Sequence, residues 1–105
     1  MEKTTVIQMQ STLCVRDMPQ AFAALVSALD ENDSITVAIP ADAAVDLSLI
    51  QLLEAARLRG ADLGKTLVLS APVQGEARRA LERSGLLATA DKGDLQFWLH
   101  GETAQ

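Results

Sequence analysis

The apolar residues of this chain change their spacing several times between its two ends. In some stretches they alternate singly, and in others they recur every three or four residues. The first spacing is typical of strands and the second of helices. The 105 residues include no linker rich in Pro, Gly and Ser and no internal repeat, so we expect one domain over residues 1–105. The sequence therefore predicts an α/β fold.

The expected order of elements is ββαβαβαβ, in a mixed sheet with amphipathic helices packed mainly on one face. The two strands before the first helix are separated by polar residues and are expected to form a hairpin. The fourth strand is continuously apolar and is expected to be central. In the last strand Leu95, Phe97 and Leu99 would point to one face. The expected strands are residues 5–9, 13–15, 34–39, 66–69 and 95–100.

Capping and helix-ending residues mark the boundaries of the expected helices. Asp17 is a candidate N-cap for the first helix, with Pro19 in its first turn. The second helix is expected over residues 47–59, ended by Gly60 and Gly64, and Pro72 is expected to open the third, which ends at Gly85 in a left-handed conformation. Right-handed crossovers between parallel strands would bring Asp46, Ser48 and the turn at residues 70–72 to the carboxyl edge of the sheet.

The start of the second helix carries an acid and a hydroxyl, Asp46 and Ser48. Ser48 with Gln51 three residues later forms the pattern of a capping box, which is the simpler interpretation. A helix start also tolerates a phosphate, because its first backbone N–H groups have no partners within the helix. Both interpretations stay open at this point.

Composition excludes several classes of function. A formal net charge of −5 gives no electrostatic basis for binding nucleic acid or an anionic membrane. The single cysteine, Cys14, can form no disulfide within the chain and is expected to be a small buried residue in a reducing compartment. No signal peptide or membrane-spanning stretch is evident, so we expect a cytoplasmic protein without membrane insertion.

The chain offers no recognisable catalytic set. His100 is the one histidine, and nothing in the sequence brings it to Ser48 or Cys14. No group of residues has the spacing of zinc ligands, and no glycine-rich phosphate loop is present. We therefore expect no enzymatic activity, no metal and no cofactor.

The second helix is more apolar than one core-facing stripe requires. At 100° per residue the stripe holds Leu49, Leu52, Leu53 and Ala56. Three further side chains project away from that stripe, namely Leu47, Ile50 and Leu58. Leu47 and Ile50, grouped with Ser48 at the helix start, are expected to form a surface for a protein partner.

Two parts of the chain, the first made of two short stretches, resemble the STAS domain, the fold of bacterial anti-anti-sigma factors. The first is Val45-Asp46-Leu47-Ser48 after a strand, followed later by Leu67-Val68-Leu69-Ser70-Ala71-Pro72. The second is the helix that ends Ser84-Gly85-Leu86. The sequence has Leu47 where the family commonly has Ser or Thr, and Leu49 where it commonly has Gly.

The resemblance implies a single STAS-like domain that acts in signal transduction without catalysis. Ser48 would be the phosphorylated residue and Asp46 the acidic one, and Asp46, Leu47, Ser48 and Ile50 would contact a partner such as a serine kinase of the anti-sigma type or a chemotaxis protein. The resemblance also allows a cytoplasmic STAS subunit of an ABC-type lipid-transport system, which needs no phosphorylation. A small-ligand or nucleotide sensor is a third class, without a phosphate-binding motif to support it.

Overall fold

The strands pair in parallel within each of two small sheets. The computed structural model describes residues 3–100, and in it β1 (Thr4–Gln8), β3 (Ser34–Ala38) and β5 (Thr66–Leu69) form a parallel sheet in that order. Two short strands, β2 (Thr12–Leu13) and β4 (Ala44–Val45), pair in parallel beside it. The helices are α1 (Met18–Glu31), α2 (Leu47–Asp62), α3 (Gly75–Ser84) and α4 (Lys92–Leu99), with single 3-10 turns at Val15–Asp17 and Leu86–Thr89.

The helices cover one face of the three-stranded sheet. From β1 to β3 and from β3 to β5 the chain steps in the same direction across the sheet, and right-handed crossovers then place α1 and α2 on the same side. Burial agrees with this arrangement, because Ile35, Val37, Leu67 and Leu69 are buried on the covered face. On the opposite face Val6 is 66% exposed. The expectation of helices mainly on one face is confirmed.

The expected hairpin is wrong. β1 pairs with β3 and β2 pairs with β4, so the two strands belong to different sheets and both pairings are parallel. The polar residues between them cross from one sheet to the other, and the Ser11 carbonyl accepts from Ala44 N–H at 2.9 Å. The expected mixed sheet is likewise replaced by parallel pairing throughout residues 3–100.

The expected last strand is helix α4. Asp91 and Asp94 form a capping box at its start, in which each carboxylate accepts the other's backbone N–H, at 2.8 and 3.2 Å. Because no further strand follows within residues 3–100, β5 is an edge strand rather than a central one, and Thr66 and Val68 are exposed. The parallel pairing expected around the second helix is confirmed by β3 and β5.

Helix α4 is fastened to α2 beside the β5 edge. Arg57 Nη2 of α2 donates to Asp94 Oδ1 at 2.7 Å, and its guanidinium lies 5.0 Å from the centre of the Phe97 ring. Trp98 is 1% exposed, and its Nε1 donates to Glu54 Oε1 at 3.1 Å. These contacts hold α4 against α2 at the β5 end of the sheet.

Several expected helix boundaries shift. Asp17 precedes α1, but its carboxylate accepts from Cys14 N–H at 3.0 Å instead of capping α1, because a 3-10 turn runs directly into the helix. Helix α2 continues through Gly60, which is buried against Leu29 of α1. Helix α3 starts at Gly75 rather than at Pro72, and it ends as expected at Gly85, whose φ of 81° favours glycine.

The core lies between the covered face of the sheet and the helices. The Cα radius of gyration is 13.0 Å, the size expected of one compact domain of about 100 residues. Within residues 3–100 no helix has both the length and the apolar character needed to cross a membrane.

The helical state of residues 92–99 can be tested with two prolines. Lys92 is the first residue of α4 and follows the extended Asp91, so we expect Lys92→Pro to leave the free energy of unfolding nearly unchanged. Gln96→Pro lies inside the helix and should lower that free energy by about 3 kcal/mol. Urea unfolding followed by fluorescence of Trp98, the single tryptophan, measures both. Equal losses for the two variants would contradict the helix.

Candidate functional site at the start of helix α2

The Asp46 carboxylate joins the start of α2 to the segment before α1. Asp46 is the N-cap of α2, and its Oδ1 accepts from Ser48 N–H at 2.9 Å. Its Oδ2 accepts from Val15 N–H at 3.1 Å, across 31 residues of sequence. One side chain therefore satisfies a free N–H of the helix and also fixes the 3-10 turn at Val15–Asp17 against it.

Ser48 lies in the first turn of α2 and not at its cap. The capping box predicted for Ser48 and Gln51 is wrong, because Asp46 occupies the N-cap position and Gln51 is exposed on the helix surface. The Ser48 hydroxyl instead donates to Asp46 Oδ1, the same oxygen that accepts from its N–H. Both polar groups of Ser48 are thus directed at one carboxylate.

These hydrogen bonds lower the pKa of Asp46. The largest effect on this pKa is the hydrogen bond from the Ser48 hydroxyl, which lowers it. Burial, the second-largest effect, raises the pKa, and the hydrogen bonds from the backbone N–H groups of Ser48 and Val15 lower it further. A carboxylate with a lowered pKa is a weak base. Asp46 therefore accepts from the Ser48 hydroxyl and orients it.

Exposed apolar side chains surround Ser48 on both sides. A shallow depression on one side is lined by Val15, Phe22, Ser48 and Gln51, together with Met18, Pro19 and Leu52. Val15 is 69% exposed and Phe22 37%. On the other side Leu47 is 41% exposed. We call Val15, Phe22, Leu47, Ser48 and Gln51 the Ser48 surface.

Ile50 does not belong to this surface, and its predicted place there is wrong. It is 1% exposed, because α2 packs against the sheet on one side and against α3 on another, so its buried arc is wider than a single stripe. The other side-chain positions predicted for this helix are confirmed. Leu58 is 59% exposed and Leu47 also reaches solvent, whereas the predicted core stripe of Leu49, Leu52, Leu53 and Ala56 is buried.

A groove between α2 and the end of α3 continues from Leu47. Its volume is about 600 Å³, and Ile50 and Leu86 form part of its lining. Leu47 and Leu58 stand three turns apart along its α2 side, and Arg83 lies on its α3 side. The Ser48 surface is therefore continuous with a partly apolar groove.

The other candidate groups of the sequence lie apart from Ser48. His100 Nε2 lies 2.9 Å from the Leu69 carbonyl oxygen at the sheet edge. Cys14 is half-buried rather than buried, and its Sγ lies 3.9 Å from the Ala44 carbonyl oxygen. Ser70 follows β5 at the carboxyl edge, as expected, and lines a small pocket that does not include Ser48. Within residues 3–100 no cluster of His, Cys, Asp or Glu is arranged to hold a metal ion.

Sequence reasoning missed three contributors to the site. Val15 was expected in a strand, and Phe22 was expected to face the core. Glu76 of α3 was not considered, yet its Oε2 accepts from Val45 N–H at 3.2 Å, just before the α2 cap. The acidic residue in the first turn of the third helix was the available signal for Glu76. A two-residue strand and a single 3-10 turn leave no periodic signal for Val15.

Comparison with known proteins gives no relative for this chain. No protein-family model matches it, and neither a curated protein nor a solved structure matches it at the level required for significance. The similarity to STAS domains accordingly rests on the residues quoted above.

The hydrogen bond between Ser48 and Asp46 can be tested by titration. We expect Ser48→Ala to raise the pKa of Asp46 toward its ordinary value of 3.8, because it removes the largest cause of the lowered pKa. NMR of the carboxyl carbon measures this. Asp94 serves as an internal control, because its pKa is lowered by Arg57 and should not change.

The same titration has a consequence for stability. A carboxylate whose pKa is lowered on folding contributes stability that is complete above the unfolded pKa and is lost as the pH falls through the folded pKa. Ser48→Ala should therefore lose less stability than the wild type between pH 5 and pH 2, as measured by urea unfolding. An unchanged pKa of Asp46 in the variant would contradict the hydrogen bond.

Proposed function

We propose that this protein is a non-enzymatic, STAS-like regulatory module that binds a protein partner through the Ser48 surface, with phosphorylation of Ser48 as the switch. The observation that carries the proposal is the placement of a half-buried hydroxyl among the exposed side chains of Val15, Phe22 and Leu47. Apolar side chains that remain exposed around one polar group are typical of the centre of a small protein interface.

A phosphate on Ser48 would change this surface in two ways. It would add a charge of about −1.5 to −2 beside Leu47, so an apolar partner contact would have to form next to a strongly hydrated group. It would also remove the hydroxyl donor of Asp46 and place a dianion against its carboxylate. Repulsion would then weaken the hydrogen bond from Val15 N–H to Asp46, which holds the Val15–Asp17 turn in place.

A constitutive subunit is the second candidate, of the kind that STAS proteins form in lipid-transport systems. The hydrogen bonds from the Ser48 hydroxyl and N–H to Asp46 favour it, because they give Ser48 a structural role that needs no modification. The two candidates share the surface and differ in whether phosphate on Ser48 regulates binding.

The surface itself is tested with two matched leucines. Leu47 and Leu63 are similarly exposed, at 41% and 46%, but lie at opposite ends of α2 and its cap. We expect Leu47→Glu to weaken the binding of partners purified from the native cell by on the order of tenfold or more, because it buries a charge in the contact. Leu63→Glu should bind like the wild type. Equal binding by both folded variants would contradict the Ser48 surface.

The switch is tested at Ser48. We expect Ser48→Ala to bind constitutively with a loss of stability of about 1 kcal/mol or less, and Ser48→Asp to bind the partner more weakly while remaining folded. Mass spectrometry of the protein from its native cell should find phosphate on Ser48. Absence of phosphate under every growth condition, with equal binding by the two variants, would contradict the switch and favour the constitutive subunit.

A further inference from the structure

The two edges of the three-stranded sheet differ in what lies beside them. The β5 edge is covered, since α4 lies beside it and His100 Nε2 contacts the Leu69 carbonyl oxygen. The β1 edge pairs with nothing in residues 3–100 beyond β3. An open edge strand presents unpaired backbone groups that can pair with another strand.

The hydrogen bonds of β1 identify which of its groups are free. Asp33 and Ser34 N–H donate to the Lys3 carbonyl, and Met9 N–H donates to the Ala38 carbonyl, so the odd-numbered residues face β3. Backbone groups alternate in direction along a strand. The N–H and C=O groups of Thr4, Val6 and Gln8 therefore point away from the sheet.

This edge has none of the features that usually prevent pairing. Every residue from position 4 to position 15 is uncharged, and no proline interrupts β1. The side chains of Thr4, Val6 and Gln8 lie on the bare face of the sheet, where Val6 is 66% exposed. Lysine at such a position, or a bulge, is the common protection.

We propose that a second copy of this chain pairs with β1 in antiparallel orientation, about a twofold axis at Val6. The free groups at positions 4, 6 and 8 are spaced symmetrically around Val6, so Val6 would face Val6 of the other copy and Thr4 would face its Gln8. Each facing pair exchanges two hydrogen bonds, and the three pairs give up to six. The result is a six-stranded sheet in which both bare faces lie on the same side, and no charged residue of either β1 faces another.

The test is sedimentation equilibrium of the wild type and three variants, each first shown to be folded by circular dichroism. The wild type should form a dimer between micromolar and millimolar concentration. Val6→Lys should raise the dissociation constant by on the order of tenfold or more, because it places two like charges opposite each other. The matched control is Val68→Lys, on the same face but at the covered edge, which should dimerise like the wild type.

An equimolar mixture of Val6→Lys and Val6→Glu makes the test specific for β1. We expect these two variants to stay monomeric separately and to form a heterodimer when mixed, since opposite charges then face each other. In the wild type, the amides of Thr4, Val6 and Gln8 should exchange more slowly with deuterium as protein concentration rises. A wild type that stays monomeric at millimolar concentration, or a dimer that Val6→Lys leaves intact, would overturn the proposal.

Discussion

The strand order β1-β3-β5, with parallel pairing throughout, determines the layout of this protein. Because β1, β3 and β5 follow each other across the sheet, α1 and α2 must lie on the same face, and the chain never reverses to cover the other one. The core is therefore one layer thick, between one sheet face and the helices. A parallel sheet of this kind is usually covered on both faces, and here one face bears only uncharged side chains, such as those of Thr36 and Val68.

The position of α2 follows from this layout and explains the site. Helix α2 packs against α1, β5 and α3, and these contacts bury the side chains of its apolar stripe and of Ile50. Its start lies beyond the carboxyl ends of the strands, where backbone N–H groups are free and loops meet. Asp46 satisfies one of those groups and also binds Val15 N–H. The hydrogen bonding at the Ser48 surface thus depends on one carboxylate, that of Asp46, which also caps α2.

The elements with a clear period could be predicted from the sequence, and the short or ambiguous ones could not. The three long helices and the strands of the main sheet have enough residues for their spacing to be read. Strands β2 and β4 have two residues each, too few to show a period. Residues 95–99 satisfy both periods, since Leu95, Phe97 and Leu99 alternate while Leu95, Trp98 and Leu99 have helical spacing. The deciding signal was the pair Asp91 and Asp94, which caps a helix.

The sequence points to the start of α2 as the candidate site, but it does not reveal the full set of residues that surround Ser48. Asp46 and Ser48 were identified by their place before an apolar helix, whereas the bond from Val15 N–H spans 31 residues and has no local signature. Ile50 shows the limit of helical spacing as a guide. It lies at the margin of the apolar arc, and its burial is decided by α3, which the pattern of α2 cannot reveal.

The central claim is that the Asp46 carboxylate couples the state of Ser48 to the turn that precedes α1. Deuterium exchange of the Val15 amide, compared between the unmodified protein and protein carrying phosphoserine at position 48, measures this coupling directly. We expect the phosphate to speed Val15 exchange by on the order of tenfold or more, because the bond to Asp46 is weakened, while the amides of Ile35 and Val37 in the central strand stay unchanged. Unchanged exchange at Val15, in protein fully phosphorylated at Ser48, would contradict it.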